Sequence, residues 1–419
     1  MRILFAATKY PLPPTNGQAM RTLSLLQGLA ELGHEISYVG FAPETAAGTG
    51  EPLTSLCRAV ELVRRGGGLP NASAGSGIPG RVACVLTGRS YSLSRFRSTP
   101  VRGVIARQLR ARGFDLLFCD SLYALANVPP TVVPIILNCH NVEHIIFARY
   151  ARLDASFAKR WYARIEGQAM ARAERRACRR AALAMACSEA DSALLARLRA
   201  DLPMTVVPNV VDLDKLAAAA GSPAPSQPPV LLFQGSMDWY PNRDAVEYFA
   251  DEILPLIRSE YPDVKFLVAG RNPPPALVDR FRALSAVEFT GTVPDMNRYL
   301  RAATLAVVPL RLGSGTRIKI LEACGAGKAV VSTTVGAEGL ALRDGEEILL
   351  SDRPADFARC VLTLLRDAAL RDAIAAAGRA AVTERYGRPA LLANLQAALA
   401  LLPGRAPGPA TVGSVATWR

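Results

Sequence analysis

Between Pro309 and Val331 the chain reads PLRLGSGTRIKILEACGAGKAVV, a stretch whose polar residues suit an anion. Gly313, Ser314 and Gly315 precede Ile318, Ile320 and Leu321, an apolar set at helical spacing, so their backbone N–H groups fall at the mouth of a helix, where donors lack intrahelical partners. Thr316 adds a hydroxyl, Arg317 a planar charged fork suited to phosphate, and Lys319 a second cation. Glu322 lies one turn inside. A surface ion pair between Lys319 and Glu322, three apart on a helix, is the alternative that spacing leaves open.

Two of the chain's three histidines fall in LNCHNVEH, Leu137 to His144. This segment ends an apolar run, the place where α/β proteins put functional polar groups. His140, with Asn141 and Glu143 beside it, is the candidate; on spacing alone a buried, satisfied histidine at 140 and a surface one at 144 is the simpler reading. Nearer the start, YPLPPTNGQAM offers a Pro/Gly loop before a helix, and Gly17 stands where free N–H groups would meet an anion or a sugar hydroxyl. A βα turn with no ligand fits that segment equally well.

These residues need elements to carry them. Short apolar runs bounded by turn signals alternate with helical patterns, which predicts an α/β protein with parallel sheets. RILFAA, HEISYVGF, DLLFCD, TVVPIILNCH, ALAMACS and MTVVPN read as strands of a first series; PVLLFQG, VKFLVAG, VEFTG, LAVVPL, KAVVSTT and EEILLS read as a second. Between the series lies AAAAGSPAPSQPP, of linker composition. The expected organisation is a domain over residues 1–216, a linker over 217–229, a second domain over 230–385, a closing helix over 386–402 and a disordered tail over 403–419. Residues 64–80, RRGGGLPNASAGSGIPG, read as a loop.

At 419 residues two or three domains are expected. An excess of 49 Lys and Arg over 36 Asp and Glu, a net +13, favours phosphates, acidic lipids or nucleic acid as partners, with general solubility as the plain alternative. The basic residues are spread out and lack an aromatic stacking module, which argues against nucleic acid. The eight cysteines show no metal-site spacing and fall in apolar surroundings, as reduced core thiols of a cytoplasmic protein would. No run of 18 apolar residues is present to span a membrane. From Ala151 to Ala186 a helical region carries Arg160, Arg164, Arg172, Arg175, Arg176, Arg179 and Arg180, with Trp161, Ile165, Met170, Ala173 and Ala177 as its apolar face. Glu166 and Glu174 are interleaved and would pair with Arg at helical spacing, giving a solvated face; attachment to anionic lipid is the second reading.

Taken in order, YPLPPTNGQAMRTLSLLQGLAELGHEISYV, LNCHNVEH, VPNVVD, LLFQGSMDWYPNRDAVEYF, VEFTGTVPDMNRYL, the 313–322 loop and STTVGAEGL resemble the motifs of the retaining glycosyltransferases of family 4. The resemblance covers roughly residues 1 to 400 and implies the GT-B fold, two Rossmann-like domains facing each other across a cleft. It implies that His140 lies near the donor sugar, that Gly235 lets the diphosphate approach, that Gly291, Thr292 and Val293 line the nucleobase, that Glu322 accepts from ribose hydroxyls, and that Gly336 and Glu338 stand near the donor. Asn209 and Asp212 fall where the family organises the cleft hinge, or serve as turn and cap residues.

Two departures stand out. Family members often have an Arg after the glycine at 235 and a Lys further on, where this chain has Ser236 and then Pro241, Asn242 and Arg243; the first of two family glutamates falls at Ser314. Arg317 and Lys319 are the substitutes available for a phosphate clamp. The resemblance further implies transfer from a nucleotide-diphosphate sugar, as co-substrate with no metal or other cofactor, to a glycan or lipid-linked acceptor. Cell-surface polysaccharide or glycoconjugate synthesis is the expected setting, in the cytoplasm or peripherally on the inner face of the membrane. A nucleotide-sugar epimerase of the same fold is the alternative enzyme; a dinucleotide oxidoreductase lacks its Gly-x-Gly-x-x-Gly here.

Overall fold

The computed structural model describes residues 1–14, 16–42, 51–64, 77–111, 113–153, 156–217, 228–313 and 315–403. Most of the expected linker and tail, most of the 64–80 loop, and Ser314 lie outside the described residues. Residues 77–80, read as loop, begin a helix, Gly77–Thr87.

The apolar runs form two parallel sheets. The first contains β1 (Arg2–Ala6), β2 (Glu35–Phe41), β3 (Ala59–Val63), β4 (Leu116–Cys119), β5 (Ile135–Asn138), β6 (Leu183–Ala186) and β7 (Met204–Val206), in the order β3-β2-β1-β4-β5-β6-β7. The second contains β8 (Val230–Gln234), β9 (Lys265–Ala269), β10 (Val287–Gly291), β11 (Leu305–Val308), β12 (Val330–Ser332) and β13 (Leu349–Leu350), in the order β10-β9-β8-β11-β12-β13. All pairings between these strands are parallel, with registers such as Ile3↔Leu116 and Leu231↔Phe266. Parallel strands need crossovers that cover both faces, so the inner strands are buried on both sides and read as mainly apolar runs, whereas the edge strands β3, β7, β10 and β13 are only partly buried.

β3 is the strand that the apolar runs did not announce. Its sequence AVELV puts a carboxylate mid-strand at a sheet edge, where Glu61 accepts from Arg107 and Gln108. In each sheet the strand order reverses once, at β1/β4 and at β8/β11, and a ligand crevice opens outside the carboxyl ends of such strands.

Two apolar clusters pack the two faces of the first sheet, and a third fills the second domain. The final helix, Arg388–Ala400, adds Leu391, Leu395, Ala398 and Leu399 to the first domain's core, against the first helix, Gly17–Glu31. A Cβ at Gly28 would stand 2.7 Å from Leu395 Cδ1, so glycine is what lets these two helices approach. The Arg-rich region is two helices, Glu143–Leu153 and Phe157–Arg180, followed by β6. Met170 and Ala177 are buried as expected; Trp161 is 52% exposed, because it lies on the outward side of the helix. Among the described residues no helix is long and apolar enough to cross a membrane.

Candidate active site

The first domain's crevice is built on the ends of β4, β5 and β7. Asp120 follows β4 directly, and its carboxylate accepts from Thr22 Oγ1 at 2.6 Å and from Asn138 Nδ2 at 2.9 Å. Asn138, the last residue of β5, accepts through Oδ1 from Arg21 Nε at 3.1 Å and Nη2 at 2.8 Å. Arg21 comes from the first helix, capped by Asn16 whose side chain accepts from Ala19 N at 3.0 Å. Through Nη1 it also donates to Val207 O at 2.7 Å and to Asn209 Oδ1 at 3.1 Å. His140 closes the chain: its Nε2 lies 2.6 Å from the Asp120 carbonyl oxygen and 3.2 Å from Asp120 Oδ1. A nitrogen that close to a carbonyl oxygen must donate, so the ring carries its proton on Nε2. His140 is therefore a satisfied, oriented histidine at the crevice.

The second domain's crevice gathers Arg317, Lys319 and Glu322. Arg317 caps the helix Ile318–Gly325 and is only 5% exposed. It donates to Gly315 O within its own loop and lies 5.7 Å from the centre of the Trp239 ring. Burial pushes its guanidinium down to about 10, with the nearby Glu338 opposing and Arg149 adding to the effect. Lys319 Nζ donates to Asn242 Oδ1 at 2.7 Å and sits 4.1 Å from the centre of the Phe233 ring; burial first, then Arg317, holds its ammonium well below the usual lysine range. Glu322 accepts from Gln234 Nε2 at 2.5 Å, and burial pushes its carboxyl up to about 7 against the pull of Lys215 and Lys319. Lys319 and Glu322 thus hydrogen-bond to different neighbours, and the alternative of a surface ion pair between them is not formed among the described residues. Gln234 Oε1, at the end of β8 beside them, is buried with no hydrogen-bond partner among the described residues.

The two crevices meet. Gly313 and Gly315 have φ of 127° and 76°, which only glycine adopts without strain, and a Cβ at 315 would stand 2.7 Å from His140 O and 2.5 Å from Asn141 Oδ1. The loop can therefore lie against the histidine segment only because 315 has no side chain. Asn209 Nδ2 donates to Thr316 Oγ1 at 2.6 Å, joining the Arg21 cluster to the glycine loop. Arg149 forms a two-pronged bridge to Glu338 at 2.5 Å in each arm and donates to Gly313 O. Gly17 faces Ile318, with a Cβ position 3.3 Å from its Cδ1.

Of the remaining predicted residues, Gly235 directly follows β8 with a Cβ position 2.9 Å from Lys319 Nζ, in the heart of the group. Gly336 packs on Ser332 and donates to Thr333 Oγ1 at 2.9 Å. Gly291 and Val293 stand at the end of β10, two strands from β8 on the sheet's edge. Asp212 accepts from Lys215 N at 3.0 Å, a turn role. Sequence reasoning missed Arg21, Asp120, Asn138, Arg149, Gln234, Trp239 and Arg271, whose Nε donates to Ser236 Oγ at 3.0 Å. Asp120 and Asn138 carried a signal: each is the polar residue closing an apolar strand run. Among the described residues no group of three or more His, Cys, Asp or Glu side chains is placed to hold a metal ion.

Comparison with known proteins adds family matches to both halves. A family profile described as "Glycosyltransferase Family 4" matches residues 15–215, and one described as "Glycosyl transferases group 1" matches residues 228–367. The chain is similar to a phosphatidyl-myo-inositol mannosyltransferase of Mycobacterium tuberculosis (strain ATCC 25618 / H37Rv), at 33% identity over 190 residues, 43% of this chain and 49% of that protein. The match thus spans about half the length of that relative. A Klebsiella pneumoniae protein described as an uncharacterized 44.6 kDa protein in cps region is 20% identical over 387 residues, 86% of this chain and 90% of that one. Among solved structures, sucrose-phosphate synthase (tll1590) from Thermosynechococcus elongatus superposes with a TM-score of 0.70 at 17% identity, covering 95% of this chain and 98% of that chain. Anabaena Alr3699/HepE in complex with UDP and glucose does so with a TM-score of 0.63 at 15% identity, covering 95% and 99%. At such identities these likenesses establish the fold, GT-B.

Proposed function

The chain belongs to the group 1, family 4 glycosyltransferases, and from that premise we propose that it moves a hexosyl group from a nucleotide-diphosphate sugar to a glycan or lipid-linked acceptor, with retention of anomeric configuration. The observation that carries the reading is the meeting of the two crevices: the glycine loop 313–317 with its cations lies directly against the histidine segment after β5. A sugar diphosphate bound there has its phosphates at Arg317, Lys319 and the loop amides, and its sugar toward His140.

In the proposed reaction the bond between the anomeric carbon and the diphosphate oxygen breaks, and the acceptor oxygen bonds to the same face of that carbon. The departing diphosphate takes the acceptor's proton, so the products are nucleoside diphosphate and glycoside. Stabilising the charge that grows on the leaving diphosphate is the main electrostatic task, and desolvated cations at fixed positions do it without reorganisation. Glu322 serves as acceptor for the ribose hydroxyls, and His140, held by Asp120, aligns the glycosyl ring. Gly291 and Val293 serve the nucleobase, and Gly17, Gly235, Gly336 and Glu338 complete the donor wall. The nucleotide sugar is the co-substrate, and no metal enters the scheme.

Surface polysaccharide or glycoconjugate synthesis is the proposed setting, supported by the Klebsiella relative's "cps region" and by the phosphatidyl-myo-inositol in the mycobacterial relatives' name. The test is a thermal-shift panel of UDP-, GDP- and ADP-sugars followed by a donor-hydrolysis assay with NMR of the anomeric product. One nucleotide class is expected to raise Tm and to be hydrolysed slowly; stabilisation by none would overturn the reading.

A further inference from the structure

The loops that leave β8 and β9 are fastened to each other at the mouth of the second crevice. Gly235 N donates to Ala269 O at 2.9 Å and Met237 N to Arg271 O at 3.0 Å, which carries the ladder past the strand ends. A Cβ at Gly270 would stand 1.8 Å from Gly235 O, so only glycine lets the two backbones run this close. The segment 235–238 therefore lies at the carboxyl ends of two strands, where such a sheet binds its ligand. Cations reach it from two sources. Asn242 donates to Ser236 O at 2.7 Å and accepts from Lys319 Nζ at 2.7 Å. Arg271, from the end of β9, donates through Nε to Ser236 Oγ at 3.0 Å. Ser236 is thus tied through its carbonyl to the Asn242–Lys319 pair and through its hydroxyl to a guanidinium that the transfer scheme above leaves without a task.

The same hydroxyl leads to an acid. Ser236 Oγ donates to Asp238 Oδ2 at 3.0 Å, and Arg271 Nε lies 3.4 Å from that oxygen. Asn272 Nδ2 donates to both Asp238 oxygens, at 3.2 and 3.1 Å. The side chains of Arg271 and Asp238 are 34% and 51% exposed, so water competes for both and the pair holds weakly. Arg311 provides the contrast in the same domain. It meets Asp244 through two hydrogen bonds, at 3.1 and 2.7 Å, on a carboxylate only 10% exposed, as a fixed structural pair does. A weak, open carboxylate contact at a ligand crevice is one that a phosphate, with more charge and more oxygens, displaces.

We propose that Arg271 is a further phosphate-binding residue of the donor crevice, and that Asp238 is the internal carboxylate it holds until the donor's diphosphate takes that place. The word donor rests on the glycosyl-transfer reading. The test is calorimetric titration of the full chain with UDP, GDP and ADP and with the matching monophosphates. For the diphosphate that binds, Arg271→Ala should weaken affinity at least about tenfold, the scale of one charge-assisted contact, and should weaken the monophosphate much less. Asp238→Asn should tighten the diphosphate by roughly twofold to fivefold, the scale of an exposed ion pair. The opposite signs separate binding from support of the loop, because both variants break the same ion pair and a bracing role would make both weaken affinity. Unchanged affinity in Arg271→Ala, an equal loss for monophosphate and diphosphate, or weakened binding in Asp238→Asn would overturn the proposal. A chain that hydrolyses a nucleotide sugar and gives one of these results refutes the role of Arg271 alone. One that binds a diphosphate with the expected signs, yet hydrolyses no nucleotide sugar, refutes the transfer reading and upholds the phosphate site, and binding of no nucleotide overturns both.

Discussion

Arg21 and Arg317 are the buried arginines of the two crevices, 3% and 5% exposed, and they do different work. Arg21 ties β5 to the segment after β7 through Asn138, Val207 and Asn209. It is a beam inside one domain, and each of its acceptors would be orphaned without it. Arg317 turns back on its own loop and a tryptophan face, in a spot where burial already weakens its hold on its proton. A charge kept out of water near a crevice, beside a second cation, would be stabilised by an arriving anion, as the proposed donor diphosphate is. The contrast teaches that burial alone does not mark a binding charge. What the charge is fastened to does.

Breaking Arg21 should produce the largest effect on stability. Arg21→Leu orphans three buried acceptors, at about 1–3 kcal/mol each, so unfolding in urea should show a loss of roughly 3–5 kcal/mol; a loss under 1 kcal/mol would mean that the beam is not one. The Glu322 carboxyl comes next. It titrates near 4.5 in an unfolded chain and near 7 when folded, so between those values the folded state holds the extra proton and stability falls as pH rises. The fall amounts to at most roughly 3 kcal/mol. Glu322→Gln should flatten the Tm-against-pH curve between about pH 4.5 and 7 relative to the parent chain, and parallel curves would contradict the buried acid.

Arg317→Ala tests the other arm of the comparison. Loss of one charge-assisted contact of ~1.5–3 kcal/mol should weaken nucleotide-sugar binding by roughly tenfold to a hundredfold in calorimetry, with Tm unchanged or raised because a desolvated cation is gone. Unchanged affinity with lowered Tm would make Arg317 a second beam. The smallest effect belongs to the domain bridge. Glu338→Gln should cost about 1 kcal/mol or less in low salt, since both side chains of the Arg149–Glu338 pair are partly solvated, and the difference should vanish in high salt.

Much of the fold was legible because parallel strands are buried on both faces. Twelve of the thirteen strands were read from short, mainly apolar stretches, and β3, with Glu61 at its centre bonded to Arg107 and Gln108 of a neighbouring helix, was not. Gly313, Arg317, Lys319 and Glu322 were legible as a group because they are contiguous. Trp161, by contrast, was assigned to the wrong side of its helix. Helical periodicity finds a face, but Glu166 and Glu174, which reach inward to Ser90 and His144 instead of pairing with the helix arginines, look the same in sequence as acids that pair.

The sequence by itself determined two parallel α/β domains, the glycine loop and the local company of Arg317, since each depends on residues within a few turns of one another. Tertiary structure decided the rest. Thr22 and Asp120 bond across 98 residues of chain, Arg21 and Asn209 across 188, Arg149 and Glu338 across 189. A parallel sheet brings its strand ends together only after long crossovers, so the groups that meet in its crevices leave no common trace in the sequence.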